Sequence, residues 1–246
     1  MQVLDIVQQL IQIKSITDSQ NESQPLNLIG EILRENHIDY QIIDNGSKQN
    51  LIAKIGLGEK SVLLNSHFDV VPTDEELFSP KIQNGILYGR GSADAKGPLA
   101  AMLCAFIQLS QQQLPGEIIF CAVCDEENAG NKGTKILVEN GIAADYVIAG
   151  EPTDNNIIVA EKGFLRLDIK IQGKELHAAF PNPQENAIIL ASRIIQKLQE
   201  YDFGISHPLL NKPTISFGLI SGGRKINIGA GDCQIGIDVR YLPQQS

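Results

Sequence analysis

Histidine and carboxylate side chains follow three strand-like segments of the sequence, and these residue types commonly bind catalytic metals. His67 and Asp69 lie at the end of VLLNSHFD, Glu126 and Glu127 follow IIFCAVCD, and Glu151 follows YVIAG. The carboxyl ends of the strands in an α/β domain meet at one edge of the sheet, where such domains bind their ligands. The spacing therefore predicts that these side chains converge on one site.

His67 and Asp69 are two residues apart at a strand end, so both side chains can point the same way. We expect His67 to bind a metal through one ring nitrogen, while Asp69 orients the ring through the other. The alternative is a packed histidine, with Asp69 as a turn residue before Pro72.

The glycine-rich turn YGRGSADAKG, residues 88–97, presents Asp94 directly before a predicted helix. Its glycines allow the backbone to fold tightly, and a carboxylate in this position could bridge two cations. A helix cap is the usual role of an aspartate here and remains the alternative. The residue order that defines a phosphate-binding loop is absent from the turn.

Asp125, Glu126 and Glu127 place three like charges side by side, and a bound cation would relieve their repulsion. Neighbouring glutamates on an irregular turn can diverge, so one can bind metal while the other acts as a base. A solvated acidic turn is the alternative. Glu151, which Pro152 holds in place, carries little meaning by itself.

The four segments together predict a metal site with nitrogen and carboxylate ligands. That ligand set suits zinc, with cobalt or manganese as further options. Two such ions about 3.5–4 Å apart, bridged by a carboxylate and a hydroxide, are suited to hydrolysis of an amide.

Strand-like and helix-like segments alternate through the first part of the chain, which predicts an α/β domain. Continuous apolar runs at 62–64, 118–123 and 146–149 are typical of parallel strands covered by helices on both faces. Helices are predicted at 26–36, 97–112 and 132–140. A first helix would bury one apolar face, consisting of Val3, Ile6, Val7, Leu10 and Ile11.

After Gly163 the pattern changes to strict alternation, which predicts an antiparallel sheet with one face in the core. The core-facing residues would be Leu165, Leu167, Ile169 and Ile171, then Ile215, Phe217 and Leu219, then Cys233, Ile235, Ile237 and Val239. Between these strands lies an amphipathic helix with an apolar face of Ala187, Leu190, Ala191, Ile194 and Leu198.

The sequence thus predicts two domains, a mostly parallel α/β domain at 1–162 and an α+β domain at 163–246. Three strands with one helix leave a sheet face thinly covered. We therefore expect both domains to be incomplete and the chain to end early.

The composition excludes several classes of protein. Hydrophobic residues make up 43% of the 246 residues, and the net charge is −9. Nucleic acids and anionic membranes bind proteins that have an excess of Lys and Arg, so neither is an expected partner of this acidic chain.

The N-terminal segment has Asp5 within its apolar stretch and no basic leader, so we expect a cytoplasmic protein. Cys121 and Cys124 form a C-x-x-C, which can be a redox or metal-binding pair, but on a strand they would face opposite sides as buried thiols.

The sequence resembles the M20 metallopeptidases, in the group of the acetylornithine deacetylases and succinyl-diaminopimelate desuccinylases. The matching segments run in the same order along the whole chain: SHFDVVP, LYGRGSADAKG, CDEE, GEPT, GKELHAAFPNPQENAI and SGGRKINIGAGDCQIGIDVRYLP. The resemblance implies a zinc-peptidase-like catalytic domain and a lid domain. It implies removal of an acyl group from a small amino acid of the acetylornithine or acetyl-lysine type. A desuccinylase, a dipeptidase or a carboxypeptidase is the alternative.

The resemblance also implies a role for each matching residue. His67 and Asp94 would bind two zinc ions per subunit, with Asp94 bridging them and the peptide bond after Asp94 in the cis form. Glu127 and Glu151 would each bind one ion. Glu126 would be the general base, and Asp69 would orient the histidine ligand.

In the second domain, His177 resembles a lid histidine that stabilises the oxyanion from the partner subunit of a homodimer. Asn227 and Arg240 resemble residues that contact the substrate. The residues alone leave His177 as an ordinary surface histidine and Arg240 as an outward strand residue. Members of the family continue beyond this point to a further histidine ligand, and neither His37 nor His207 lies in a matching motif. A chain without that ligand could be a non-catalytic binding module, which is the rival interpretation.

Overall fold

The computed structural model describes residues 2–44, 46 and 48–245. The chain forms two compact units, Met1–Asn155 and Asn156–Ser246. The sequence predicts a boundary after residue 162. In the structure the boundary lies seven residues earlier, so the segment 156–162 belongs to the second unit.

The described residues of the first unit form four α-helices, a five-stranded sheet and a small hairpin. In chain order the elements are α1 (Val3–Gln12), α2 (Pro25–Glu35), β1 (Tyr40–Asp44), β2 (Gln49–Ile55), β3 (Ser61–His67), β4 (Lys81–Gln83), β5 (Ile86–Tyr88), α3 (Lys96–Ser110), β6 (Glu117–Val123), α4 (Thr134–Glu139) and β7 (Tyr146–Ala149). The helices predicted at 26–36, 97–112 and 132–140 correspond to α2, α3 and α4.

The main sheet has the strand order β1-β2-β6-β3-β7. β3 lies between β6 and β7 and is parallel to both. At the other end of the sheet, β2 is antiparallel to both of its neighbours, β1 and β6. The α/β class is therefore confirmed, with a mixed sheet. The parallel arrangement puts the carboxyl ends of β3, β6 and β7 at the same edge.

The main core lies between this sheet and helices α1, α2 and α3. Helix α1 buries Ile6, Val7, Leu10 and Ile11, as predicted. Val3 is an exception to that face, because it lies in the first turn and is 40% exposed. Cys121 and Cys124 lie in cores on opposite faces of the sheet and are free, buried thiols, as predicted.

β7 differs from the expectation that each apolar strand is covered on both faces. Tyr146, Val147 and Ile148 are all more than half exposed. The reason is position, because β7 is the edge strand and its ladder in the described residues is with β3 alone.

The second unit contains β8 (Gly163–Gln172), α5 (Ala187–Gln199), β9 (Thr214–Gly222) and β10 (Asp232–Tyr241). Its strands pair antiparallel in the order β8-β10-β9. Asn186 caps α5 by accepting hydrogen bonds from the backbone N–H groups of Ile188 and Ile189. The helix packs its predicted apolar face on Ile171, Cys233, Ile235 and Ile237.

Several predicted core positions of this sheet lie outside its core. Leu219 is 75% exposed, because the register shifts between Gly236 and Ile237 and this bulge inverts the alternation of β9. Leu165 and Leu167 are on the predicted face but are nearly half exposed. They belong to the end of β8 that the buried cluster around α5 does not reach.

The structure contains no helix long and apolar enough to cross a membrane within its described residues.

Candidate metal centre

His67 is the centre of the candidate site. It is the last residue of β3 and is 1% exposed. Its Nε2 atom lies 3.1 Å from Asp94 Oδ1, 3.8 Å from Glu126 Oε2 and 3.9 Å from Glu151 Oε2. Three of the predicted carboxylates therefore lie around one ring nitrogen of the predicted histidine.

The topology of the sheet explains this convergence. His67 ends β3, Glu126 lies three residues after the end of β6, and Glu151 lies two residues after the end of β7. These three strands are parallel neighbours, so their carboxyl ends open onto the same edge.

Asp94 reaches the site from the glycine-rich turn. Gly91 has φ +85°, a conformation that favours glycine, and a Cβ atom on Gly97 would lie 2.2 Å from the carbonyl oxygen of Ser92. The Asp94–Ala95 peptide bond is cis, as predicted. Ala95 is the N-cap residue of α3 and provides no side-chain cap, so the alternative role of Asp94 as the helix cap is wrong.

Asp69 is fully buried beneath the site and fixes several parts of it. His67 Nδ1 lies 3.0 Å from the backbone oxygen of Asp69 and 3.4 Å from Oδ1. The carboxylate accepts hydrogen bonds from the backbone N–H groups of Glu126 and Glu127, at 3.1 and 3.2 Å. It also accepts one from the hydroxyl of Thr17 at 2.7 Å. Asp69 can therefore orient the imidazole and the acidic turn together.

The three consecutive acids take different directions. Asp125 is buried and adopts a left-handed conformation with φ 64°, whereas Glu126 and Glu127 begin a short 3₁₀ turn and are more exposed. The structure therefore contradicts a purely solvated acidic turn. Its two glutamates diverge from Asp125 toward the edge of the sheet where His67 lies.

The electrostatics of the cluster indicate an excess of negative charge. The pKa of Glu151 is raised to about 7, because burial and the carboxylates of Glu126, Asp94 and Glu127 together outweigh the opposing effect of His67. Burial and the Asp94 carboxylate also raise the pKa of Glu127. For His67, burial alone would lower the pKa, but Asp69, Glu151 and Glu126 outweigh it and raise the value to about 9.

This donor set fits a divalent cation. One ligand atom from each of His67, Asp94 and Glu151 lies within 4.8 Å of the others. A cation among them would offset the repulsion between carboxylates that the raised pKa values reflect. Nitrogen and carboxylate donors are those that zinc prefers in catalytic sites. Glu127 is coupled electrostatically to Asp94 and His67 but lies outside that group of three.

The predicted residues of the second unit have local contacts of their own. His177 and Asn227 are both exposed. Their segments are adjacent, since the backbone N–H of Ala178 donates to Asn227 O at 3.0 Å and His177 forms an isolated β-bridge with Ile228. Arg240 lies on β10, where its Nε donates to Asp238 Oδ1 at 2.7 Å. The structure therefore brings His177 and Asn227 together, and Arg240 lies among strand residues.

Sequence reasoning missed residues that hold the site from behind. Thr17 bonds Asp69, and the Ser66 hydroxyl donates to Gly150 O at 2.9 Å, just before Glu151. Ser66 directly precedes His67 in the quoted motif, so its position could have suggested a supporting role. Thr17 is far from every motif, and no local pattern indicates it.

Comparison with known proteins places these residues in a family. The profile of peptidase family M20/M25/M40 matches residues 63–228. Acetylornithine deacetylase from Photorhabdus laumondii is 32% identical, over 98% of this chain and 67% of that protein. The chain therefore belongs to peptidase family M20/M25/M40, as the resemblance predicted.

A second relative is similar over nearly the whole of this chain. A LysW-lysine/LysW-ornithine hydrolase from Sulfurisphaera tokodaii is 33% identical, over 96% of this chain and 63% of that protein. The chain spans about two thirds of the length of these curated relatives.

Solved structures with the same fold include an M20 family metallo-carboxypeptidase from Sulfolobus solfataricus. It has a TM-score of 0.81 at 19% identity, covering 100% of this chain and 72% of that one. A tripeptidase from Staphylococcus aureus has a TM-score of 0.73 at 24% identity, covering 99% and 67%.

Proposed function

We propose that this chain provides the metal-binding part of an amidohydrolase that removes an acyl group from the nitrogen of a small amino acid. The observation that carries the proposal is the meeting of His67, Asp94 and Glu151 within 4.8 Å. Membership of peptidase family M20/M25/M40 supports the same reaction class.

His67, Asp94, Glu127 and Glu151 would hold two zinc ions, or cobalt or manganese, and Asp94 would be a ligand to both. A divalent cation there supplies Lewis acidity, which polarises a carbonyl group and makes water a stronger acid. The four residues combine one imidazole with three carboxylates, and Asp69 holds the imidazole in a fixed orientation.

Glu126 is the proposed general base. Its Oε2 lies 3.8 Å from His67 Nε2, and its backbone is fixed by the bond from its N–H to Asp69. The side chain is half exposed, so it can meet a water molecule and a substrate. In this mechanism Glu126 takes a proton from the attacking water and passes it to the departing amine nitrogen.

The second unit has a supporting part in the proposal. His177 would stabilise the oxyanion, and Asn227 and Arg240 would contact the substrate. We further propose a homodimer that forms through this unit. The exposure of His177 and Asn227 on adjacent segments is compatible with contact to a ligand. A cytoplasmic location suits the four free, buried cysteines.

Acetylated ornithine or lysine is the preferred substrate class of the proposal. The support is that relatives covering most of this chain are named acetylornithine deacetylase or LysW-ornithine hydrolase. A desuccinylase and a dipeptidase or carboxypeptidase are the competing outcomes, and a non-catalytic binding module is the rival from another class.

A substrate panel with the zinc-loaded 246-residue chain tests the proposal. N-acetylornithine, N-acetyl-lysine, N-succinyl-diaminopimelate and simple dipeptides are incubated with the chain, and the released amine is measured. We expect the acetylated substrates to react fastest. Release of amine from none of them would contradict the enzymatic proposal and favour the non-catalytic rival.

Glu126→Gln is the matched control for the reaction. The amide keeps the size of the side chain but cannot take the proton, so turnover is expected to fall by about 100-fold or more. Zinc content measured by atomic emission should stay unchanged. A variant with wild-type turnover would remove Glu126 from the role of base.

A further inference from the structure

Behind the candidate site, three charged side chains form a buried cluster in the first unit. Glu22, Lys48 and Asp125, here called the buried charge cluster, are 2%, 9% and 3% exposed. Lys48 Nζ lies 2.5 Å from Asp125 Oδ1 and 3.0 Å from Glu22 Oε2. It also contacts the more exposed Asp18 at 2.9 Å. One ammonium group thus faces three carboxylates from two other segments of the chain.

The two buried carboxylates hold the backbone of these segments. Glu22 accepts one hydrogen bond from the N–H of Asp18 at 2.7 Å and another from the N–H of Asp125 at 3.0 Å. Asp125 Oδ2 accepts a bond from the N–H of Lys132 at 2.8 Å. The carboxylates therefore fix both ends of the turn from residue 125 to residue 132.

This turn carries the two glutamates of the candidate site. At Asp125 the backbone has a φ of 64°, which directs the chain into the 3₁₀ turn of Glu126 and Glu127. The N–H groups of these two residues then bond Asp69. The turn is thus held on one side by the buried charge cluster and on the other by Asp69.

We propose that Lys48 is a positioning residue, whose ammonium group keeps Glu22 and Asp125 together and so sets the place of Glu126 and Glu127. This inference rests on the metal site under the proposed function. Lys48 itself does not touch the reacting atoms in this account, and it acts through the two buried carboxylates.

Electrostatic repulsion is the reason that the ammonium is needed. Glu22 and Asp125 would otherwise be two like charges inside the protein, where water screens them little. Burial by itself would lower the pKa of Lys48, but Asp125, Asp18 and Glu22 raise it above its usual range. Lys48 therefore stays charged at neutral pH. Loss of that charge would drive the carboxylates apart and release the turn.

Hydrogen exchange on the metal-free chain tests the proposal without any metal. Lys48→Met keeps the length of the side chain and removes its charge. We expect the amides of Glu126 and Glu127 to exchange at least about 10-fold faster in this variant, while amides of β3 and β6 change little. Rates within about 2-fold of wild type at both glutamates would overturn the proposal.

Two further variants serve as controls. Lys54→Met makes the same chemical change on β2, where Lys54 forms an ion pair with Glu117 at 3.7 Å near the surface, and it should leave both glutamate amides unchanged. Lys48→Arg keeps the positive charge and should restore most of the protection. An arginine variant that exchanges as fast as Lys48→Met would also overturn the role of the charge.

Zinc affinity at a temperature where all variants are folded gives the second readout. Lys48→Met should bind zinc about 10- to 100-fold more weakly than wild type, as loss of residues that support ligands usually does. If Lys48→Met does not fold, Lys48→Gln replaces it, because it also removes the charge but keeps a polar group that can hydrogen-bond the carboxylates. Wild-type zinc affinity in the folded variant would contradict the proposal.

The two readouts separate this inference from the proposed function. A wild-type chain that binds no zinc would contradict the metal site, while the exchange rates would still decide whether Lys48 positions the turn. A wild-type chain that binds zinc, together with an unaffected Lys48→Met, would contradict the positioning role alone.

Discussion

In the first unit, ionisable side chains lie inside the protein and are hydrogen-bonded there, whereas the candidate residues of the second unit lie on the surface. Lys96 shows the first case, because it is fully buried and donates to the carbonyl oxygens of Leu10 and Ile13 at the end of α1. Arg240 shows the second, with an exposed ion pair to Asp238. A buried polar group has no water to bond with instead, so its hydrogen bonds hold the side chain in one place.

The apolar core is also more completely buried in the first unit than in the second. Helices α1, α2 and α3 cover one face of the sheet of the first unit, and Phe106, Leu103 and Leu99 are completely buried there. Among the described residues of the second unit, one α-helix packs on the sheet, and several strand residues remain exposed. The first unit therefore has the rigidity that a site needs for fixed ligand positions.

The largest expected effect comes from Asp69→Ala. This change leaves the N–H groups of Glu126 and Glu127 and the ring of His67 without their buried partner, and it should destabilise the first unit by about 3–5 kcal/mol. Urea unfolding followed by circular dichroism measures the loss. Asp238→Ala is the control in the second unit, and we expect about 1 kcal/mol or less from its exposed pairs. Similar losses in the two variants would contradict the comparison.

A second pair of variants compares the apolar cores. Leu103 on α3 is fully buried, so Leu103→Ala should cost about 2–5 kcal/mol through lost contacts and the cavity left behind. Leu165 on β8 is 49% exposed, and Leu165→Ala should cost about 1 kcal/mol or less. The same unfolding experiment decides. A larger cost at Leu165 would show that its strand end is better packed than its exposure indicates.

The smallest effect concerns pH. Because the pKa of Glu151 is raised from 4.5 to about 7 by burial and neighbouring carboxylates, the folded metal-free chain holds this proton more tightly than the unfolded chain does. Its stability should therefore fall as the pH rises from about 4.5 to about 7. Glu151→Gln cannot titrate and should show a shallower fall in thermal midpoint over that range. Equal slopes would mean that the surroundings of Glu151 do not disfavour its charge.

Convergence of the site could be predicted because it follows from sheet topology. The parallel strands that end at His67 or shortly before Glu126 and Glu151 share one edge, and apolar runs indicate such strands in a sequence. The support behind the site could not be predicted in the same way. Glu22 and Lys48 lie on loops far from Asp125 in sequence, and no spacing indicates that they meet.

Some packing details also depend on information that local patterns lack. Leu219 alternates with Phe217 in the sequence, but the bulge opposite Gly236 turns it outward. Val147 has the composition of a buried strand but lies on an edge. Both outcomes are set by partner strands, which the residues of one segment do not specify.

Zinc content tests the central claim most directly. The metal-free chain is dialysed against zinc, and bound metal is measured by atomic emission for the wild type and for His67→Ala and Asp94→Ala. The account predicts at least about one tightly bound zinc per wild-type chain and little in either variant. A wild-type chain without zinc, or variants that bind as much as the wild type, would contradict it.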